Sequence, residues 1–191
     1  MARPKIEEKR RQIREAAIAE VVEGGFSGAS TSKLAKRAGV SVGTLYIYFP
    51  DEDTLFRDVY LELKAELHAR LMEAADAEAG SAAKLRAMWH ALRGFAVETP
   101  QAFIFAEIIG TLNMLTGEAE AETRALAQDV VAIVETALAD GTLKPAPLPA
   151  VMAMLTGPAM HLARNAAAGA ASDPAVIDTT FTMLWEAIAS R

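Results

Sequence analysis

The 191-residue chain contains no cysteine. That excludes a disulfide scaffold, a thiol nucleophile and any thiolate metal site, and is neutral about compartment. A long uncharged apolar run is also missing. The most apolar stretch, residues 150–171, carries Pro158, His161, Arg164 and Asn165 and is largely alanine, so no membrane span is expected. The first twelve residues are polar and basic, without the apolar segment of a secretory signal. Strand signals are absent too: there is no sustained β-branched alternation and no Asn-Gly turn. No phosphate-cradling glycine loop, Walker sequence, nucleophile elbow or HExxH is present, and His68, His90 and His161 are far apart. Glu98 and Glu107 leave a carboxylate pair open in principle. An enzyme is not expected, and neither a cofactor nor a metal is implied.

What is present is helix-forming sequence. Hydrophobic residues make up 52% of the chain, enough for a core without covalent staples. The net charge of −6 is unevenly spread. Residues 1–50 hold nine Lys/Arg against five Asp/Glu, a net of +4, and residues 51–191 hold ten against twenty, a net of −10. A basic head on an acidic body confines attraction for phosphate to the head.

Periodicity and breakers predict about nine helices, near 6–23, 31–38, 41–48, 52–78, 82–98, 101–115, 119–139, 150–170 and 173–190. Gly24-Gly25 ends the first, and Phe26 is expected to pack back under the small domain. Ser30 or Thr31 caps the second, and Asp173 with Pro174 opens the last. Residues 144–149 (KPAPLP) form an extended connector. The expected fold is all-α, with a head at 1–50 and a helical body at 51–191.

The densest information lies in residues 30–56, STSKLAKRAGVSVGTLYIYFPDEDTLF. Two short helical patterns flank Gly39, which permits the positive φ of a tight turn. That spacing is a helix-turn-helix, whose second helix enters the DNA major groove. Leu34, Ala35, Ala38, Val40 and Leu45 form the apolar seam. Thr31, Thr44, Tyr46 and Tyr48 suit phosphate oxygens. Val42 offers methyls to thymine, Gly43 allows close backbone approach, and Ser32 or Lys33 reaches a base edge. Lys36 either assists by charge or is a solvated face. The arm at 2–5 either enters the minor groove or is a disordered tail. With few bidentate base contacts on offer, part of the specificity rests on DNA shape.

The basic first helix, Thr31-Ser32-Lys33-Leu34-Ala35, Ala38-Gly39-Val40-Ser41 and the run Gly43-Thr44-Leu45-Tyr46-Ile47-Tyr48-Phe49-Pro50 resemble the TetR (tetracycline repressor) family of bacterial regulators. The resemblance implies an all-α homodimer. The head, including Ser41 at the start of its third helix, would bind a near-palindromic double-stranded operator, and the body a small molecule that lowers DNA affinity. The chain departs from the family at Glu52, where a phosphate-binding Lys is common.

Helices five to eight supply material for an apolar or amphipathic effector site: Trp89, Phe95, Phe103, Met114 and Met152, with Glu107, Thr111, His161, His90 and Asn113 as orienting groups. The last two helices are expected to pair two copies. Ala153, Gly157, Ala159, Ala163, Ala166 and Ala167 allow close approach of helix axes, and Ile177, Phe181, Leu184, Trp185 and Ile188 add apolar bulk. The leading reading is a cytoplasmic ligand-responsive repressor. A helical scaffold that has lost DNA binding is the alternative, and a mobility shift separates the two.

Overall fold

A computed structural model describes residues 3–112, 114–170 and 173–190. Among these the chain is all-α. Its helices are α1 (Arg3–Gly24), α2 (Thr31–Ala38), α3 (Val42–Tyr48), α4 (Glu52–Asp76), α5 (Ser81–Glu98), α6 (Pro100–Gly110), α7 (Gly117–Ala139), α8 (Leu148–Ala167) and α9 (Pro174–Ile188), with a 3₁₀ turn at Phe26–Gly28 that periodicity does not reveal.

Two compact units emerge. One comprises the described residues of Met1–Lys64 with Ile104–Ala121, the other Ala65–Phe103 with Glu122–Arg191. Residue 50, the expected end of the head, lies inside the first of these units. The first half of α4 turns Leu55, Phe56, Val59, Tyr60 and Leu63 into the core of the head unit. Phe56 lies edge-on to Phe26 at 5.4 Å and tilted against Phe105 of α6 at 6.4 Å, so aromatic burial draws both elements into that unit.

In the same unit α1 buries Ile13, Ala16, Ala17 and Val21 at helical spacing and packs on α2. The arm expected to be flexible is helical from Arg3, and Ala2 lies outside the described residues. Helix α6 stops at Gly110, short of the expected residue 115. The Thr111 and Leu112 N–H groups close it by donating to the Ile108 and Ile109 carbonyls, and the Thr111 hydroxyl donates to the Ile108 carbonyl at 2.7 Å.

The second unit is built on α5 against α8 and α8 against α9. Its core includes Leu85, Trp89, Val134, Leu143, Leu155, Ala159, Ile177, Phe181, Leu184 and Ile188. The last two helices divide their residues between this core and the surface. The apolar residues of α9, together with Ala159 and Ala163 of α8, are buried within the chain itself, while Trp185 is half-buried and stacked on Phe181. Ala153, Met154 and Gly157 of α8 and Val176 and Met183 of α9 remain exposed.

The end of α9 is tied to the connector. Lys144 N–H donates to Ile188 O at 2.8 Å, and Ser190 N–H to Thr142 O at 3.0 Å. The Lys144 ammonium donates to the carbonyls of Glu186 and Ala187, a cation serving the unpaired C-terminal end of a helix. Asp173 caps α9 as expected, accepting from Ala175 N at 2.9 Å.

Candidate nucleic-acid interface

Gly39 makes the turn. Its backbone is left-handed (φ 65°, ψ 32°), and its amide and that of Val40 close α2 onto the carbonyls of Lys36 and Ala35. The chain then re-enters helix at Val42. Ser41 caps α3, its hydroxyl accepting from Thr44 N–H at 3.0 Å and lying 2.8 Å from the Thr44 hydroxyl. Leu34, Ala35, Ala38 and Leu45 are buried and hold the two helices together.

The capping of α2 differs from expectation. Ser30 stands at the N-cap in extended conformation but makes no side-chain capping bond. The Thr31 hydroxyl donates instead to the carboxylate of Glu52 at the start of α4.

The remaining surface of α2 and α3 is open. Ser32, Lys33, Ser41, Val42 and Gly43 are exposed, Tyr46 is about half exposed, and Thr31, Thr44 and Tyr48 are half-buried. Ile47, between the two tyrosines, is 81% exposed, an unusual setting for a large apolar side chain. A helix of seven residues is too short for periodicity to separate inward from outward positions, so sequence alone does not mark Ile47. The Lys33 ammonium donates to the Gly28 carbonyl at 2.8 Å.

Much of the head's positive charge is balanced locally. Arg37 bonds Glu20 and Glu23 of α1, and these carboxylates raise its pKa further. Arg10 bonds Glu62 at 2.9 Å and lies over the Phe49 ring, and Arg14 reaches Glu62 at 3.5 Å. These arginines lock α1 to α2 and α4, so the counted excess overstates the field available to a polyanion.

The second unit contains a cavity of about 90 Å³. Leu71, Leu85, Met88, Trp89, Leu92, Val130, Val134, Met152, Leu155, Thr156 and Ala159 line it. Of the residues expected at an effector site, Trp89 and Met152 are there. Phe95 and Phe103 are buried in the same unit but not in its wall, and Arg70 lies over the Phe95 ring. His161 is exposed beside Asn165. Glu107, Thr111 and Met114 belong to the head unit. There Glu107 raises the Tyr60 hydroxyl pKa, adding to the effect of burial. His90 touches Trp89 and Phe181, and Asn113 lies outside the described residues. Among the described residues no group of three His, Asp or Glu is placed to hold a metal ion, and no helix is long and apolar enough to cross a membrane.

A glycine-jointed helix pair with an exposed second helix, on an all-helical chain, defines the class of helix-turn-helix regulatory proteins. Residues 13–59 match the model of the bacterial regulatory proteins of the tetR family. The structure superposes on a TetR family transcription regulator from Marinobacter aquaeolei VT8 with a TM-score of 0.88 and 28% identity, covering 99% of this chain and all of that one. The chain thus carries the N-terminal domain of that family on an all-helical fold shared with a TetR family regulator. It is 34% identical over 62 residues to the fatty acid metabolism regulator protein of Bacillus subtilis strain 168, 32% of each chain. It is 28% identical over 120 residues to nucleoid occlusion factor SlmA of Haemophilus ducreyi, 62% of this chain and 55% of that protein. The matched stretches thus span about a third and about half of these relatives.

Proposed function

We propose that this protein is a transcriptional repressor that binds a near-palindromic operator as a homodimer in the cytoplasm and is released by a small apolar or amphipathic effector. The observation that carries the reading is the surface of α2 and α3. Hydroxyls, Lys33 and an exposed Ile47 face away from a seam of fully buried leucines, on a scaffold fixed by Gly39. In this reading Thr31, Thr44, Tyr46 and Tyr48 bind phosphates. Ser32, Lys33, Val42 and Ile47 read base edges, the last two through thymine methyls, and Ser41 and Gly43 bring the backbone close.

One head is too small for tight binding, and two heads on successive half-sites must lie about 34–36 Å apart. Pairing through α8 and α9 fits the exposed Ala153, Met154 and Gly157 beside Val176 and Met183. A ligand that favours the wrong spacing of heads lowers operator affinity by its preference for that state. Helix α4 runs from one compact unit into the other and is the natural carrier of the change.

The test is a mobility shift with DNA upstream of the protein's own gene. Binding that weakens with salt and with Thr44→Ala or Tyr46→Ala supports the reading. Absence of a shift on any genomic fragment defeats it.

A further inference from the structure

Lys64 is the last α4 residue of the head unit, and the DNA-binding surface makes no use of it. It stands one turn beyond Tyr60, on the side of α4 that meets α6. Along this seam Phe56 packs on Phe105, the Tyr60 hydroxyl oxygen lies 3.4 Å from where a Cβ of Gly110 would stand, and Lys64 feels the charge of Glu107. The Lys64 side chain is half-buried, yet its ammonium donates no hydrogen bond and joins no ion pair among the described residues. Its nitrogen still touches solvent, since it is not one of the enclosed side-chain atoms left without a partner. Lys33 and Lys144 differ, for their ammonium groups donate to backbone carbonyls. A charged amine drawn out of water and given no acceptor is costly, so the neutral amine gains ground. Burial accordingly pushes the Lys64 ammonium below the ordinary lysine value, with Glu107 opposing. A partly desolvated lysine amine that solvent can still reach is a nucleophile.

We propose that Lys64 is an acyl-acceptor site, taking a small acyl group from an acyl phosphate or an acyl thioester, and that the acylated protein holds its operator less tightly. The neutral Nζ attacks the acyl carbonyl carbon and a C–N bond forms. The bond from that carbon to the phosphate oxygen or the sulfur breaks, phosphate or thiolate leaves, and the surplus amine proton passes to water. The amide product carries no charge, so Glu107 loses the cation beside it. The close approach of Tyr60 to Gly110 leaves little room for the acyl group between the helices, so α4 shifts on α6 within the unit that carries α2 and α3. The effect on the operator rests on the reading of α2 and α3 as a DNA-binding surface.

The full chain is treated in separate arms with acetyl phosphate and with the thioester S-acetyl-N-acetylcysteamine, and acetylation of each lysine is followed over time by peptide mass mapping. Lys64 should be acetylated several-fold faster than Lys36, which is the more exposed of the two, and the arm in which it is so names the donor. Operator affinity, measured on the same samples by mobility shift, should fall as the modified fraction of Lys64 rises. Lys64→Arg keeps the cation and should protect binding from either reagent. Lys64→Gln, uncharged like the acylated side chain, should weaken binding several-fold without treatment. Acetylation of Lys64 no faster than that of Lys36 in both arms would overturn the acceptor assignment. Lys64-acetylated protein that holds the operator as tightly as untreated protein would overturn the regulatory half. If the untreated protein shifts no genomic fragment, the DNA-binding reading is what fails, and the mass map still decides whether Lys64 is the acceptor.

Discussion

The Thr31 hydroxyl at the head of α2 donates its proton to the carboxylate of Glu52 at the head of α4. One of the groups expected to meet a phosphate is therefore held by an acid, at the place where related heads commonly carry a lysine. A carboxylate there both occupies the donor and repels a polyanion.

Replacing Glu52 tests this directly. Glu52→Gln keeps an acceptor for Thr31 and removes the charge, and should tighten operator binding several-fold at low salt. Glu52→Lys should tighten it further and steepen the plot of log affinity against log salt by about 0.9 per head, the signature of one added phosphate contact. Titrations at four salt concentrations measure both, and unchanged slopes would place Glu52 away from the duplex.

Ile47 should act on sequence preference rather than on general affinity. Its methyls are exposed on α3 and contribute little to the core, so Ile47→Ala should leave thermal stability within about 0.5 kcal/mol. On the operator it should cost about 1–3 kcal/mol and flatten the preference for thymine at one position of each half-site. Selection of bound sequences by wild type and variant reads this out. Lys33→Ala should behave differently, either weakening all sequences together or, if it reads guanine, relaxing another position.

Gly39→Ala probes the turn. Its φ of 65° is unfavourable for a residue with a Cβ, although no atom lies within 4 Å of the place a Cβ would take. The cost is therefore conformational, about 1–2 kcal/mol. Leu34→Ala, at a site with no exposure, should cost more, about 2–5 kcal/mol, through the cavity it leaves. Chemical denaturation separates them, and equal losses would mean that the turn is strained by packing as well.

Most of the architecture was legible beforehand for a plain reason. Helix punctuation here is local: Gly39, Asp173-Pro174 and the 144–149 connector act through φ restriction and capping, which depend on neighbouring residues alone. The misreadings involve partners distant in sequence. Ser30 or Thr31 is a reasonable cap on local grounds, and nothing local shows that residues 31 and 52 meet. The burial of α9's Ile177, Phe181 and Leu184 in one cluster with Leu85 of α5 and Ala159 of α8 likewise joins residues far apart in sequence. The effector candidates were the hardest to group, because apolar spacing on four helices does not say which faces converge. Trp89 and Met152 meet in one wall while Glu107 lies in the other unit.

The last prediction concerns acid. His90 is half-buried against Phe181, with centroids 5.9 Å apart, and its pKa lies below the usual 6.5. Burial is the main cause. The charge of Arg86 adds to it and that of Arg93 adds less, while Asp178 opposes them. A histidine whose folded pKa is depressed binds its proton more readily when unfolded. Its contribution to stability is therefore complete above about pH 6.5 and is lost as the pH falls through its folded value. The melting temperature should decline between pH 7 and pH 5, and His90→Gln should make that decline shallower. Asp178→Asn removes the opposing carboxylate, depresses His90 further and should deepen the decline. If His90→Gln melts with the same pH dependence as wild type, the acid sensitivity belongs to other groups and His90 is not under strain.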